Sequence, residues 1–95
     1  MINITGYIWR YDVVDKLAWK HHLTTDEVEE VFKNKPRIYR IDKGHYEGED
    51  VYAAWGQTDS GRYLIIIFIY KKDHRALINT ARDMTHKERK RHAKK

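Results

Sequence analysis

An unbroken apolar run constrains the fold of this chain more than any other feature. The run Leu64-Ile65-Ile66-Ile67-Phe68-Ile69 is too short to cross a bilayer and is typical of a strand that is covered on both faces. The sequence Asp59-Ser60-Gly61 precedes it, and glycine permits the left-handed backbone of a tight hairpin. The sequence therefore predicts a central strand over residues 62–70, which other elements must cover.

Alternating apolar and polar residues predict the neighbours of this strand. Residues 37–41 and 50–58 alternate as half-buried strands, and residues 75–81 form another strand after a turn. Residues 6–11 predict a short first strand. We therefore expect a short N-terminal strand followed, later in the chain, by a meander of three or four antiparallel strands.

Two short helices are expected between the first strand and the meander. Apolar residues recur at helical spacing over residues 13–22, and Asp12 is a candidate N-cap for this helix. Thr24 and Glu27 have the spacing of a capping box, which predicts the start of a second helix. Pro36, the only proline, ends that second helix.

A basic helix is expected at the end of the chain. Thr85 and Glu88 form a second capping-box pattern, which predicts a helix over about residues 84–95. We expect its end to fray beyond Arg91. Together these elements predict an α+β fold, with the helices packed on one face of the sheet. With 95 residues, the chain is expected to form a single domain over residues 1–95.

Cations are concentrated in the last quarter of the chain. Residues 71–95 contain ten Lys or Arg against three Asp or Glu, whereas residues 1–70 contain nine against eleven. Such a surface indicates a phosphate polymer or an acidic protein as partner, although a solvated terminal helix has the same composition. The chain has no cysteine, no apolar run long enough to span a membrane and no signal-peptide pattern at its start. We therefore expect a cytoplasmic protein that is not bound to a membrane.

Cleavage of RNA is the chemistry that this composition supports best. RNA is cut through its 2′-OH when a base removes that proton, a cation stabilises the phosphorane and an acid protonates the leaving oxygen. No HExxH motif, carboxylate cluster or phosphate-binding glycine loop is present, so neither a metal nor a cofactor is predicted. The candidates for proton transfer are His21, His22, Glu49, Glu88 and His92, and the cationic candidates are Lys20, Arg62, Lys71, Arg82 and Arg89.

Structural roles can also explain several of these residues. The capping box with Thr85 is a sufficient reason for Glu88, and Arg82 could simply pair with Asp50 or Glu49. Two further hypotheses about function therefore stay open. The chain could be a non-catalytic module that binds a nucleic acid or a partner through charge, or an interaction protein that is stable only in a complex.

Several short motifs in a fixed order resemble the BrnT toxin family, the small ribonuclease toxins of bacterial type II toxin–antitoxin systems. They are Lys20-His21, residues 27–32, residues 48–52, Gly56-Gln57-Thr58, residues 61–64, residues 81–85 and Glu88-Arg89. The resemblance extends from about Tyr7 to His92. It implies a RelE-like fold and a metal-independent endoribonuclease. It also implies a small cognate antitoxin that neutralises the enzyme and binds DNA. We expect the chain to form either a homodimer or a toxin–antitoxin hetero-oligomer.

The resemblance also implies site residues. It places the family's Lys-His pair on Lys20 and His21, its acidic residue on Glu49, its strand-end arginine on Arg82 and its Glu-Arg pair on Glu88 and Arg89. The family's usual glycine after Lys-His is His22 here, at the expected C-terminal cap of the first helix. The predicted catalytic set is Lys20, His21, Glu49, Arg82, Glu88 and His92, and the predicted RNA-binding set is Arg62, Lys71, Arg89 and Arg91.

Overall fold

The computed structural model describes residues 2–94 and confirms an α+β fold with three helices and a five-stranded mixed sheet. In chain order the elements are β1 (Gly6–Ile8), α1 (Tyr11–His21), α2 (Thr25–Lys33), β2 (Arg37–Asp42), β3 (Val51–Gln57), β4 (Tyr63–Tyr70), β5 (Arg75–Asp83) and α3 (His86–Ala93). The expected strands and helices are therefore present, although the first strand ends at Ile8 rather than at residue 11, because Tyr11 already belongs to α1. The prediction that the last helix reaches residue 95 ends outside the described residues.

The sheet has the strand order β1-β5-β4-β3-β2. Strands β2 to β5 form the expected antiparallel meander with β4 in its interior. The first strand adds a fifth member, because β1 pairs in parallel with β5. Strands β1 and β2 lie at opposite edges of the sheet. The two helices α1 and α2, which connect these strands in the chain, cross one face of the sheet.

The main hydrophobic core lies between the sheet and the first two helices. Leu64, Ile66 and Phe68 face this side of β4, and all three are fully buried. Leu17 of α1 and Val28 of α2 pack in the same cluster. Each such side chain contributes about 1.5–3 kcal/mol when it leaves water, so this layer supplies most of the apolar burial of the domain.

The terminal helix does not join the other two, and the prediction of helices on one face was wrong in this respect. Ile65 faces away from α1 and α2, as strand alternation requires, and forms a second, smaller cluster with Ala53 and Met84. Trp55 and Tyr63 pack against this second cluster, and α3 contacts both rings through its arginines. The central strand is thus covered on both faces, as its apolar run requires.

The helix starts were predicted correctly at the two capping boxes and wrongly at α1. The Thr24 and Thr85 hydroxyls accept hydrogen bonds from the backbone N–H groups of Glu27 and Glu88, at 3.1 Å and 3.2 Å. In return, each glutamate carboxylate accepts a hydrogen bond from the backbone N–H of its threonine. Asp12 is not the N-cap of α1, because the helix already begins at Tyr11. The Asp12 carboxylate lies in the first turn, where its negative charge also favours the helix N-terminus.

Candidate active site

One row of residues crosses the sheet on the face that α3 contacts. Arg37 of β2 pairs with Trp55 of β3, Trp55 with Ile65 of β4, and Ile65 with Arg82 of β5. Residues paired in this way have side chains on the same face, and neighbouring strands are about 4.8 Å apart. Arg82 therefore lies roughly 10 Å across the sheet from Trp55, and the two can contact one bound chain.

Arg82 is held in place by Glu88 from the first turn of α3. Its two terminal nitrogens donate to the two Glu88 carboxylate oxygens at 2.7 Å and 2.9 Å. The same carboxylate accepts the backbone N–H of Thr85 at 2.8 Å. The hydrogen bonds from Arg82, together with those from Thr85, lower the pKa of Glu88 to about 2. Glu88 is therefore a carboxylate at neutral pH, and it orients Arg82 rather than donating a proton.

Two further arginines of this face lie over aromatic rings. The Arg89 guanidinium is 4.3 Å from the centre of the Tyr63 ring, and that of Arg91 is 5.6 Å from the centre of the Trp55 ring. Among residues 2–94, no carboxylate lies within 4.0 Å of Arg37, Arg89 or Arg91. An aromatic ring orients a cation without neutralising it, so these arginines keep their charge for a ligand.

His92 lies beside the same arginines. Its ring packs edge-to-face on Tyr63, with ring centres 6.3 Å apart. Burial, and then the positive charge of Arg37, lower the pKa of His92, so the imidazole is neutral at pH 7 and can accept a proton. Its Nδ1 atom is buried and has no hydrogen-bond partner among the described residues. His92 is four residues after Glu88, which places the two on one side of α3.

Arg62 makes a dense set of contacts at the same end of the sheet. It binds the Asp83 carboxylate through Nε at 2.7 Å and Nη2 at 2.9 Å, and also donates to the carbonyls of His21 at 2.6 Å and His22 at 2.8 Å. Glu27 lies 3.6 Å from the same guanidinium. Arg62 thus joins the end of α1 to β4, β5 and α2, and its donors are used within the protein.

The Lys20-His21 pair lies on the other side of this sheet end. Asp83 pairs with Leu64 and so belongs to the side of the sheet covered by α1. Burial, and then the charges of Lys20 and Lys16, lower the pKa of His21. His22 caps α1 in the left-handed conformation, with φ 54°. The family's glycine position is therefore left-handed here although it holds histidine.

The structure does not bring Glu49 and Lys71 to this site. They bind each other at 2.9 Å, and this interaction lowers the pKa of Glu49. Both are six residues along their strands from the row through Arg82, a distance of roughly 20 Å. Asp50 binds Arg40 at 2.8 Å. The expected pairing of Arg82 with Asp50 or Glu49 was therefore wrong, because both carboxylates have other partners.

Sequence reasoning missed four residues of this region as site candidates: Arg37, Tyr39, Tyr63 and Asp83. Strand alternation could have placed Arg37 and Tyr39 on one face, but only the pairing of β2 with β3 brings them beside Trp55. Trp55 is also absent from the predicted site residues. Within residues 2–94, no group of three or more His, Asp or Glu side chains is placed to hold a metal ion.

The fold and this end of the sheet define a class of protein. A small α+β domain is suited to phosphodiester chemistry on a nucleic acid when it combines an oriented arginine, a neutral histidine on the helix that orients it, and arginines without a carboxylate partner among residues 2–94. The sequence of residues 9–88 matches the family described as ribonuclease toxin, BrnT, of type II toxin–antitoxin system, and the chain belongs to that family. No curated protein sequence matches the chain significantly.

Family membership supports an endoribonuclease activity and implies an RNA substrate and an antitoxin protein as partner. The matched stretch ends at Glu88, so it includes Arg82 and its carboxylate but not Arg89, Arg91 or His92. In the described part of the chain, no helix has the length and apolar character needed to span a bilayer.

Proposed function

We propose that this chain is a metal-independent endoribonuclease toxin in which Arg82 stabilises the phosphorane. The observation that carries the proposal is the two-point contact between Arg82 and Glu88, on a face of the sheet where Arg37, Arg89 and Arg91 have no carboxylate partner among residues 2–94. A guanidinium has five N–H donors, and Arg82 uses two on Glu88 and one on the Asp83 carbonyl. Its remaining donors are held in a fixed orientation, and its side chain is 45% exposed.

The reaction requires a base and an acid on either side of the scissile phosphate. The 2′-oxygen bonds to phosphorus as its proton passes to the base, the bond to the 5′-oxygen breaks, and the acid protonates that oxygen. The products are a 2′,3′-cyclic phosphate and a 5′-hydroxyl. We assign one of these roles to His92, because it is neutral and lies on the same side of α3 as Glu88.

The other candidates take different parts in this proposal. His21 is the second neutral histidine and is available for the opposite proton transfer if RNA passes over the end of the sheet. Lys20, Arg89 and Arg91 would hold phosphates. Arg62 positions the end of α1. Glu49 and Lys71 lie outside the reacting centre, since roughly 20 Å separates them from the row through Arg82.

The antitoxin would act on the same surface. Unpaired arginines next to aromatic rings suit an acidic protein as well as RNA, so an antitoxin bound there would block RNA. We therefore propose a toxin–antitoxin hetero-oligomer rather than a toxin homodimer as the inactive form. A cytoplasmic location follows from the proposed substrate, because cellular RNA is found there.

The test is incubation of the purified protein with RNA in excess chelator, followed by analysis of the product ends. We expect fragments with 2′,3′-cyclic phosphate and 5′-hydroxyl ends from the wild type and none from Arg82→Ala. Cleavage that appears only after a divalent metal is added would contradict metal independence. Equal cleavage by both proteins would remove Arg82 from the site. Salt-sensitive RNA binding without cleavage would instead favour a non-catalytic binding module.

A further inference from the structure

A half-open cleft lies beside the proposed reacting centre, between strands β2 and β3 and the end of α3. Its volume is about 280 Å³, and it is distinct from the contacts between Arg82 and Glu88. The residues that line it are Arg37, Tyr39, Ile41, Trp55, Arg91 and His92. Two of its walls are aromatic, three of its residues are basic, and none is acidic.

The aromatic walls offer flat surfaces for a ring. Tyr39 and Trp55 meet edge-to-face, with ring centres 5.9 Å apart and an angle of 78° between the planes. Tyr39 is 46% exposed, although it is large and mostly apolar. A ring that stacks on an exposed aromatic side chain removes apolar area from water and gains dispersion contacts.

The polar groups of the cleft favour an anionic ligand. Arg37 and Arg91 have no carboxylate partner among residues 2–94. His92 adds a neutral imidazole whose buried Nδ1 has no partner in that part of the chain. The two arginines therefore supply the charge that attracts an anionic ligand, and the imidazole adds a polar group to the same wall.

We propose that this cleft is a base-binding subsite, in which one unstacked RNA base packs against Tyr39 and Trp55 while Arg37 and Arg91 contact the phosphates beside it. Proteins read single-stranded RNA in this way, by stacking bases on aromatic or arginine planes. The subsite rests on the proposed function, because it lies in the same row of paired residues as Arg82.

The position of the cleft has a consequence for cleavage. Trp55 is separated from Arg82 by two strand spacings, roughly 10 Å. The bound base therefore belongs to a nucleotide close to the scissile phosphate but is not part of the reaction. Binding there fixes which phosphodiester bond reaches Arg82, so the subsite requires a base at one position of the RNA without selecting which base it is.

The test measures binding to a short RNA that cannot be cut because each 2′-OH is methylated. Each base is replaced in turn by an abasic nucleotide, and affinities are measured by fluorescence anisotropy. We expect one position at which loss of the base weakens binding by roughly tenfold, since stacking of one base on an aromatic side chain has an effect of about that size. In Tyr39→Ala, the same abasic replacement should have little further effect.

Two variants control for folding and for general loss of affinity. Tyr39→Phe keeps the ring and should behave as the wild type. Tyr46→Ala removes a tyrosine that is 71% exposed but lies at the Lys71 end of the sheet, and it should leave the abasic profile unchanged. Circular dichroism confirms that each variant is folded.

The outcomes separate this inference from the proposed function. An abasic profile that is flat, or that is the same in Tyr39→Ala and the wild type, overturns the subsite even if the wild type cleaves RNA. A position-specific profile without cleavage of unmodified RNA supports the subsite and contradicts the nuclease. If Tyr39→Ala weakens only binding of the antitoxin, the cleft is an antitoxin contact and the subsite is wrong.

Discussion

The two ends of the sheet are both rich in cations but hold them in different ways. At the end where β3 and β5 begin, Arg40, Lys71 and Arg75 each contact a carboxylate at 2.8–2.9 Å. At the end where α3 crosses, Arg62 and Arg82 also bind carboxylates, but Arg89 and Arg91 lie over aromatic rings. A carboxylate neutralises a cation, whereas a ring positions it and leaves its charge. We therefore propose that the partner of each cation, rather than the number of cations, determines which surface is available to RNA.

Arg82 combines features of both ends. It has a carboxylate partner, as Arg40 does, and the two side chains are similarly exposed, at 45% and 49%. They differ in their surroundings, because the Glu88 partner of Arg82 is on α3, the helix that also carries Arg89, Arg91 and His92, whereas Arg40 lies on the edge strand β2 and binds Asp50. The pair offers a matched comparison between an arginine proposed to act on a phosphate and one with a structural contact only.

The largest expected effect comes from this pair. Arg82→Ala should lower the single-turnover cleavage rate by about 100- to 1000-fold, the usual effect of removing one donor to a charged transition state. Arg40→Ala should leave the rate unchanged. Both are exposed ion pairs, so each change should lower the free energy of unfolding by no more than about 1 kcal/mol. Comparable rates in the two variants would show that the ends of the sheet do not differ in catalysis.

Replacement of His92 should have the next largest effect. His92→Gln keeps a polar side chain of similar size but cannot transfer protons, so cleavage should fall by about 100-fold with little change in RNA affinity. Arg37→Ala supplies a second readout, because burial and then the charge of Arg37 lower the pKa of His92, and the variant removes the second of these causes. Its removal should raise that pKa and move the corresponding limb of the pH–rate profile to higher pH. A profile that does not move would argue against His92 as the titrating group.

A smaller effect is expected on RNA affinity and its salt dependence. The double variant Arg89→Ala/Arg91→Ala removes two unpaired cations, so the slope of log K against log salt should become less steep by about two units. The matched double variant Lys71→Ala/Arg75→Ala removes two cations that are paired with carboxylates. Its slope should change little. Equal changes in both double variants would mean that pairing does not determine which cations meet RNA.

The smallest expected effect concerns stability in acid. Because the pKa of Glu88 falls from an ordinary 4.5 to about 2 in the folded protein, its contribution to stability is complete above about pH 4.5 and is lost as the pH falls toward 2. Urea unfolding of the wild type should show this loss, and Glu88→Gln should lack that part of it. Glu49→Gln should also flatten the curve, since Lys71 lowers the pKa of Glu49. Identical pH curves for the wild type and Glu88→Gln would contradict the strength of the contact with Arg82.

Much of the fold could be predicted from local patterns. The alternation over β2, β3 and β5 and the unbroken apolar run of β4 depend on which faces are buried, and burial acts residue by residue along each strand. The two capping boxes are equally local, since each joins residues only three positions apart. These features needed no knowledge of distant contacts. The prediction of Asp12 as the N-cap of α1 was wrong by two residues, which is the usual uncertainty in the position of a helix end.

The arrangement of the site depended on longer contacts. Arg82 and Glu88 are six positions apart, and their types suggested a shared site before their contact was known. Glu49 was placed with them by its type and by family resemblance, yet it lies at the far end of β3. The type of a residue indicates which chemistry it can perform. It does not indicate how far apart two residues lie in the folded sheet.

The sequence by itself determined the strands, the starts of α2 and α3, the basic terminal helix and the membership of a ribonuclease toxin family, because each depends on short patterns or on their order along the chain. Only the tertiary structure decided that β1 joins β5 in parallel and that α3 crosses the sheet face opposite α1 and α2. It also decided which cations meet a carboxylate and which meet a ring. The physical reason is that these outcomes are set by strand pairing and register, which bring Arg37, Trp55 and Arg82 into one row from distant parts of the chain.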